Sequence, residues 1–233
     1  MEPISLTETR LKAFLDWQAN RSEPSAAVMS GLAEAQAIRL DAEGLTARGW
    51  GADMPPDWAV APGEPLLIGG YDEDRGIYDS DVFAGDGGQR RTVHLGIDLF
   101  APAGVVVFAP IDGRVHSFQD NDNPKDYGPT LILEHHPATD VTFWTLYGHL
   151  SRDSLDGLTV GRIFAAGEVI ARLGGRMVNG GWSPHLHFQI ILDIGDKTGD
   201  FPGVFKRSER AHWKRICPDP RPFLGAFPGL AHL

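Results

Sequence analysis

The chain has 233 residues, 42% of them hydrophobic and 22% charged, enough for one well-packed domain with an accessory segment and too few for two full domains. A net charge of -10, with no Lys/Arg cluster to reverse it, excludes the basic stripe that nucleic-acid phosphates require. The single cysteine, Cys217, excludes an intramolecular disulfide and a cysteine-rich zinc module, and reads as a small buried hydrophobe.

Residues 1–48 read as an N-terminal helical hairpin. Ser5 and Glu8 have the spacing of a capping box, and Leu11, Phe14, Leu15 and Trp17 form an apolar stripe. The second helix is expected over "SAAVMSGLAEAQAIRL", with Pro24 near its first turn. The N-terminus lacks the basic-then-apolar order of a secretory leader, and no apolar run is long enough to cross a bilayer. The expectation is a protein without membrane insertion, cytoplasmic as the sequence stands, and periplasmic or extracellular if a leader was removed. Residues 49–65, "GWGADMPPDWAVAPGEP", are dense in Pro and Gly and read as a linker.

Over 66–233 the texture changes to short apolar runs broken by turn residues, the pattern of a mainly β, compact antiparallel sheet domain. Strands are expected at "LLIGG", "TVHLGIDLF", "VVVFA", "GRVHSF", "TLILEHH", "VTFWTLYGHL", "EVIARLG" and "HLHFQIILD". A short helix is expected in the closing "SERAHWKRICPDPRPFLG".

Alternate side chains of a strand point to opposite faces. Applied to "VHLGIDLF", this sets Val93, Leu95, Ile97 and Leu99 against His94, Gly96 and Asp98. In "FWTLYGHL" it groups Thr145, Tyr147 and His149, and in "PHLHFQI" it groups His185, His187 and Gln189. Four histidines and an aspartate on the polar sides of otherwise apolar strands need shared partners or a metal, because burying polar groups unpaired is costly. Two imidazoles and a carboxylate suit a hydrolytic zinc site with an open position, although ligand type alone also admits non-haem iron.

In order and spacing, "HLGID", "YGHL" and "PHLHF" resemble the signature elements of the lysostaphin-type (LytM-like) zinc metallopeptidases, bacterial endopeptidases that cut peptidoglycan cross-links or stems. "APAGVVVFAPIDGRV" is similar to the segment that follows their first motif, and the resemblance runs from Leu66 to Asp193. It implies one zinc ion held by His94, Asp98 and His187, with His149 and His185 as the catalytic histidines and His185 nearest the attacking water. It also implies a compact antiparallel, duplicated hybrid motif-like fold and a peptide or peptidoglycan substrate. Some relatives are non-catalytic binding modules that lack one or more of these residues; here all five are present. "YDSDVF", "GDFPGV" and "CPDPRPFLG" further resemble segments flanking a peptidase-like unit in multidomain bacterial proteins that also carry aminotransferase-like domains, and such an intracellular setting implies a zinc amide or peptide hydrolase with a non-wall substrate as the alternative.

His135 and His136, at the end of a strand, are expected to face solvent, and His116 to lie at the surface. His212 and His232 fall outside the motifs. Gly180, Gly181 and Trp182 fit either a groove wall or a turn with one packed aromatic. The N-terminal hairpin is expected on the back of the sheet, away from the groove.

Overall fold

The computed structural model describes residues 6–51, 53–78, 81–85 and 88–224. The strands among them are β1 (Gln36–Ile38), β2 (Leu67–Gly69), β3 (Glu73–Asp74), β4 (Arg91–His94), β5 (Ile97–Phe100), β6 (Val106–Phe108), β7 (Gly113–Asn121), β8 (Gly128–Ala138), β9 (Val141–Gly148), β10 (Ile163–Phe164), β11 (Val169–Arg172), β12 (His185–Ile191) and β13 (Val204–Lys206). Helices α1 (Leu6–Asn20), α2 (Ala42–Ala47) and α3 (Arg210–Ile216) complete the main elements. The fold is mainly β and antiparallel, as the strand pattern predicts. None of its helices is long and apolar enough to cross a membrane, among the described residues.

Eight strands form the central sheet in the order β1-β2-β5-β12-β9-β8-β7-β10. Its pairings are antiparallel except β1 with β2. Strands β13, β4 and β3 make a small second sheet, and β11 pairs with β6. The "TVHLGIDLF" run is therefore two strands in two sheets, with the break at Leu95 and Gly96. Its apolar residues divide accordingly: Ile97 and Leu99 join the core on one side of the central sheet, while Val93 and Leu95 join a core on the other side.

Helix α1 forms where its stripe predicts, although Ser5 lies outside the described residues. It packs on the back of the central sheet, where fully buried Phe14 meets Phe143 edge-on with ring centroids 5.0 Å apart. Burying a phenylalanine of this kind contributes roughly 1.5–3 kcal/mol.

The second helix of the expected hairpin does not form. Val28 and Met29 are wholly buried, and the backbone there bonds to a neighbouring segment instead of to itself: Ala26 N–H donates to Pro110 O and Phe108 N–H donates to Val28 O. Gly31, at φ 85°, interrupts any helical run. Residues 36–38 then join the sheet edge as β1. Apolar residues that are buried all round, rather than along one stripe, have given the chain more by joining the sheet than by coiling.

The described residues of the 49–65 stretch form no helix or strand, but they pack against the domain. Trp58 lies against Phe100 with centroids 5.5 Å apart, and its carbonyl accepts a hydrogen bond from Ser183 Oγ at 2.7 Å.

Candidate metal centre

The central sheet sets two ligand strands side by side. β12 lies between β5 and β9, with His187 opposite Asp98 on one neighbour and Gly148 on the other. His94, at the end of β4, approaches from the small sheet. His94 Nε2 is 3.0 Å from His187 Nδ1, and Asp98 Oδ1 is 3.2 Å from each. These three residues form a group able to hold a metal ion, and all are buried.

Hydrogen-bond partners fix which ring nitrogen carries the proton. His94 Nδ1 faces Gly70 O at 3.2 Å, an atom that can only accept, so His94 turns an Nε2 lone pair to the centre. Gln189 Nε2 donates to Pro202 O (3.1 Å) and to Cys217 Sγ (3.2 Å), which leaves Gln189 Oε1 to accept from His187 Nε2 at 2.9 Å. His187 therefore presents its Nδ1 lone pair. Burial, aided by the Arg75 charge, lowers the His94 pKa to about 3. Burial acts against ionisation of Asp98, but His94 and Arg75 hold its carboxyl well below the usual range. Two imidazole lone pairs and a carboxylate oxygen thus converge within bonding distance of one point, an arrangement that repels itself unless a cation lies between. The donor set fits a divalent metal with three protein ligands, and each ligand has the outer partner that orients such groups.

The pocket around this point has a volume of about 240 Å³ and is also lined by Tyr78, Phe83, Tyr127, His149, Trp182 and His185. His185 Nδ1 faces Ser183 O at 2.6 Å and His149 Nδ1 faces Asn179 O at 3.1 Å, so both leave Nε2 as a proton acceptor. Their rings are 4.2 Å apart, and His185 Nε2 lies 3.7 Å from Asp98 Oδ1. Burial lowers the pKa of both, with neighbouring histidines adding to the effect.

Residues 92–198 match the family model described as Peptidase family M23. No curated protein matches the chain. Among solved structures, the catalytic domain of lysostaphin from Staphylococcus simulans is similar at 25% identity, with 60% of this chain and 83% of that chain covered and a TM-score of 0.40. A zinc-containing peptidase from Vibrio cholerae matches at 24% identity and a TM-score of 0.37 over 60% of this chain. The match spans only 32% of that protein. The catalytic domain of a prophage-encoded M23 protein from Enterococcus faecalis matches at 21% identity over 60% of this chain and 90% of its own, with a TM-score of 0.40.

All five histidine and aspartate candidates line this one pocket, but His149 reaches it by a route that strand alternation misses. Opposite the His187 face of β12, strand β9 presents Leu146 and Gly148. Thr145 and Tyr147 point to the other side of the sheet, where Thr145 bonds to His135. β9 ends at Gly148, and a left-handed turn at His149, φ 65°, swings its imidazole across to the pocket. Gly96 has a different role: a Cβ there would lie 2.4 Å from the His187 ring, so only glycine lets β5 start this close to the ligand.

His135, expected in solvent, is fully buried on the far side of the sheet, with Nδ1 on Asp112 O and Nε2 on Thr145 Oγ1. His136 is exposed and His116 is half-buried, while His232 lies outside the described residues. Trp182 is buried in the groove wall after Gly180 and Gly181, both with positive φ. Cys217 is buried, its thiol pushed up to about 12 by burial, and its sulfur helps to hold Gln189. Sequence reading missed Arg75 and Tyr127. Only Gln189, grouped with the histidines of β12, carried a signal.

Proposed function

We propose that this chain is a zinc-dependent metallopeptidase that hydrolyses peptide bonds, with peptidoglycan cross-links or stems as its substrate. The observation that carries this reading is the convergence of three metal-binding acceptors and two further imidazole lone pairs on one pocket. His94, Asp98 and His187 would hold the ion, which when bound supplies Lewis acidity for amide hydrolysis.

The remaining chemistry belongs to the chain's own groups. His185, tied at Nδ1 to Ser183 O, accepts a proton at Nε2 beside the ligand set. His149, tied to Asn179 O, offers a second Nε2 for returning a proton to the leaving amine. Burial keeps the Tyr127 hydroxyl protonated, and it lines the same pocket, so it can donate a hydrogen bond to the carbonyl oxygen of a bound amide. The roles of His149 and His185 stand or fall with their separate substitution.

The test is metal analysis of the purified protein together with hydrolysis assays on peptidoglycan and on glycine-rich peptides. About one zinc per chain and the release of new amines from wall material are expected. Absence of any bound divalent metal would sink the enzyme reading. Cleavage of peptides but not of wall material would sink the substrate, and cell fractionation would then point to the compartment in which to seek another.

A further inference from the structure

Arg75 is the largest of the fully buried side chains, and it lies outside the residues matched to the family. A buried guanidinium is costly unless its donors are satisfied. Here Nη1 donates to Asp98 Oδ2 at 2.5 Å and Nε to Glu73 Oε2 at 2.6 Å. Nη1 also lies 3.2 Å from the Tyr78 hydroxyl, and Nη2 donates to Gly70 O at 3.3 Å. Gly70 O is the same atom that faces His94 Nδ1. Glu73 is itself fixed, because its other oxygen accepts from Leu40 N–H at 2.7 Å.

One guanidinium thus reaches two of the three metal-binding residues, one directly and one through a shared carbonyl. Its hold on Asp98 falls on Oδ2, the oxygen turned away from His94 and His187, while Oδ1 faces both at 3.2 Å. We propose that Arg75 is a positioning residue of the metal centre: it restricts Asp98 to coordination through Oδ1 alone and so preserves an open position on the ion. This rests on the metallopeptidase reading. A carboxylate free to rotate would offer both oxygens and occupy the position that water or substrate needs.

The experiment compares wild type, Arg75→Lys, Arg75→Gln and Glu73→Gln by chelator competition for zinc and by the visible absorption of the cobalt-substituted protein, with circular dichroism to check folding. Both Arg75 variants are expected to bind zinc about 10- to 100-fold more weakly. Their cobalt bands are expected to lose intensity as Asp98 becomes two-oxygen and the coordination number rises. Glu73→Gln, which only loosens Arg75, is expected to change both readouts in the same direction and by less.

A folded Arg75→Lys or Arg75→Gln with a wild-type cobalt spectrum overturns the proposal, whatever its zinc affinity. If the Arg75 variants do not fold, wild-type behaviour of Glu73→Gln overturns it. A wild type that binds no metal at all removes the metallopeptidase reading and this inference together, whereas a cobalt spectrum that is indifferent to Arg75 removes this inference alone.

Discussion

The two faces of the central sheet both bury histidine, yet they use it in opposite ways. On the far face His135 is closed into a self-sufficient chain, with Nδ1 on Asp112 O, Nε2 on Thr145 Oγ1 and Thr145 on the Tyr147 hydroxyl. On the near face His94, His149, His185 and His187 each commit one nitrogen to a fixed partner and turn the other to a common pocket. Burial of an imidazole therefore does not mark a site. What marks it is a set of acceptors left facing one another.

The sharpest way to break this contrast is to remove two histidines from the near face and one from the far face, each singly. His187→Ala should abolish stoichiometric metal and reduce hydrolysis to background, whereas His185→Ala should keep the metal and lose about 10²–10⁴-fold in rate. Metal analysis and single-substrate kinetics read both outcomes. His135→Ala should leave metal content and rate unchanged.

Gly96→Ala probes the same face through packing. Its Cβ would press on the His187 ring, so weaker zinc binding should accompany a stability loss of about 1–3 kcal/mol, measured by chelator competition and denaturant unfolding.

On the far face the effect should be on stability alone. His135→Ala leaves the Thr145 hydroxyl without its imidazole partner and should cost about 1–3 kcal/mol. Tyr147→Phe, which removes only the last link, should cost about 1 kcal/mol.

The smallest effect is a dependence on acid. Burial lowers His135 to about 4, while an unfolded histidine titrates near about 6.5. The unfolded chain thus binds more protons in this window, so the contribution of His135 is whole above about 6.5 and is lost as pH falls toward 4. His135→Gln should therefore flatten the acid side of the unfolding profile between those values, whatever it does to stability at pH 7.

Several parts of this arrangement were legible in the chain and others were not, for identifiable reasons. β12 reads cleanly because it alternates through seven residues without a bulge. His149 was found, but with the wrong neighbours, because a left-handed residue after a strand end resets the alternation that precedes it. "VHLGIDLF" concealed its division into two sheets because both halves keep an apolar side. Arg75 stands among four other charged residues in "YDEDRGIYD", and nothing in that pattern sets it apart; pairing of β3 with β4 and the fold of Glu73 back to Leu40 bring it inside. The second N-terminal helix failed because residues 25–40 make their bonds and bury their apolar side chains against distant parts of the chain.

The position of β2 has a kinetic consequence. With β2 paired to it, β5 is an interior strand; β12 and β4 are likewise flanked on both sides, so the strands that carry His94, Asp98 and His187 each have two neighbours. Moving the backbone at any of the three requires separating strands rather than shifting a loop, which places such motion among the slow, cooperative openings of the molecule. His149, one residue beyond its strand, is held in the same way: its N–H donates to Tyr127 O at 2.9 Å and its carbonyl accepts from Gly174 N–H at 2.8 Å. Backbone amide exchange should therefore be slow at Asp98, His187 and His149 alike, so that the groups expected to move protons are held as firmly as those expected to hold charge.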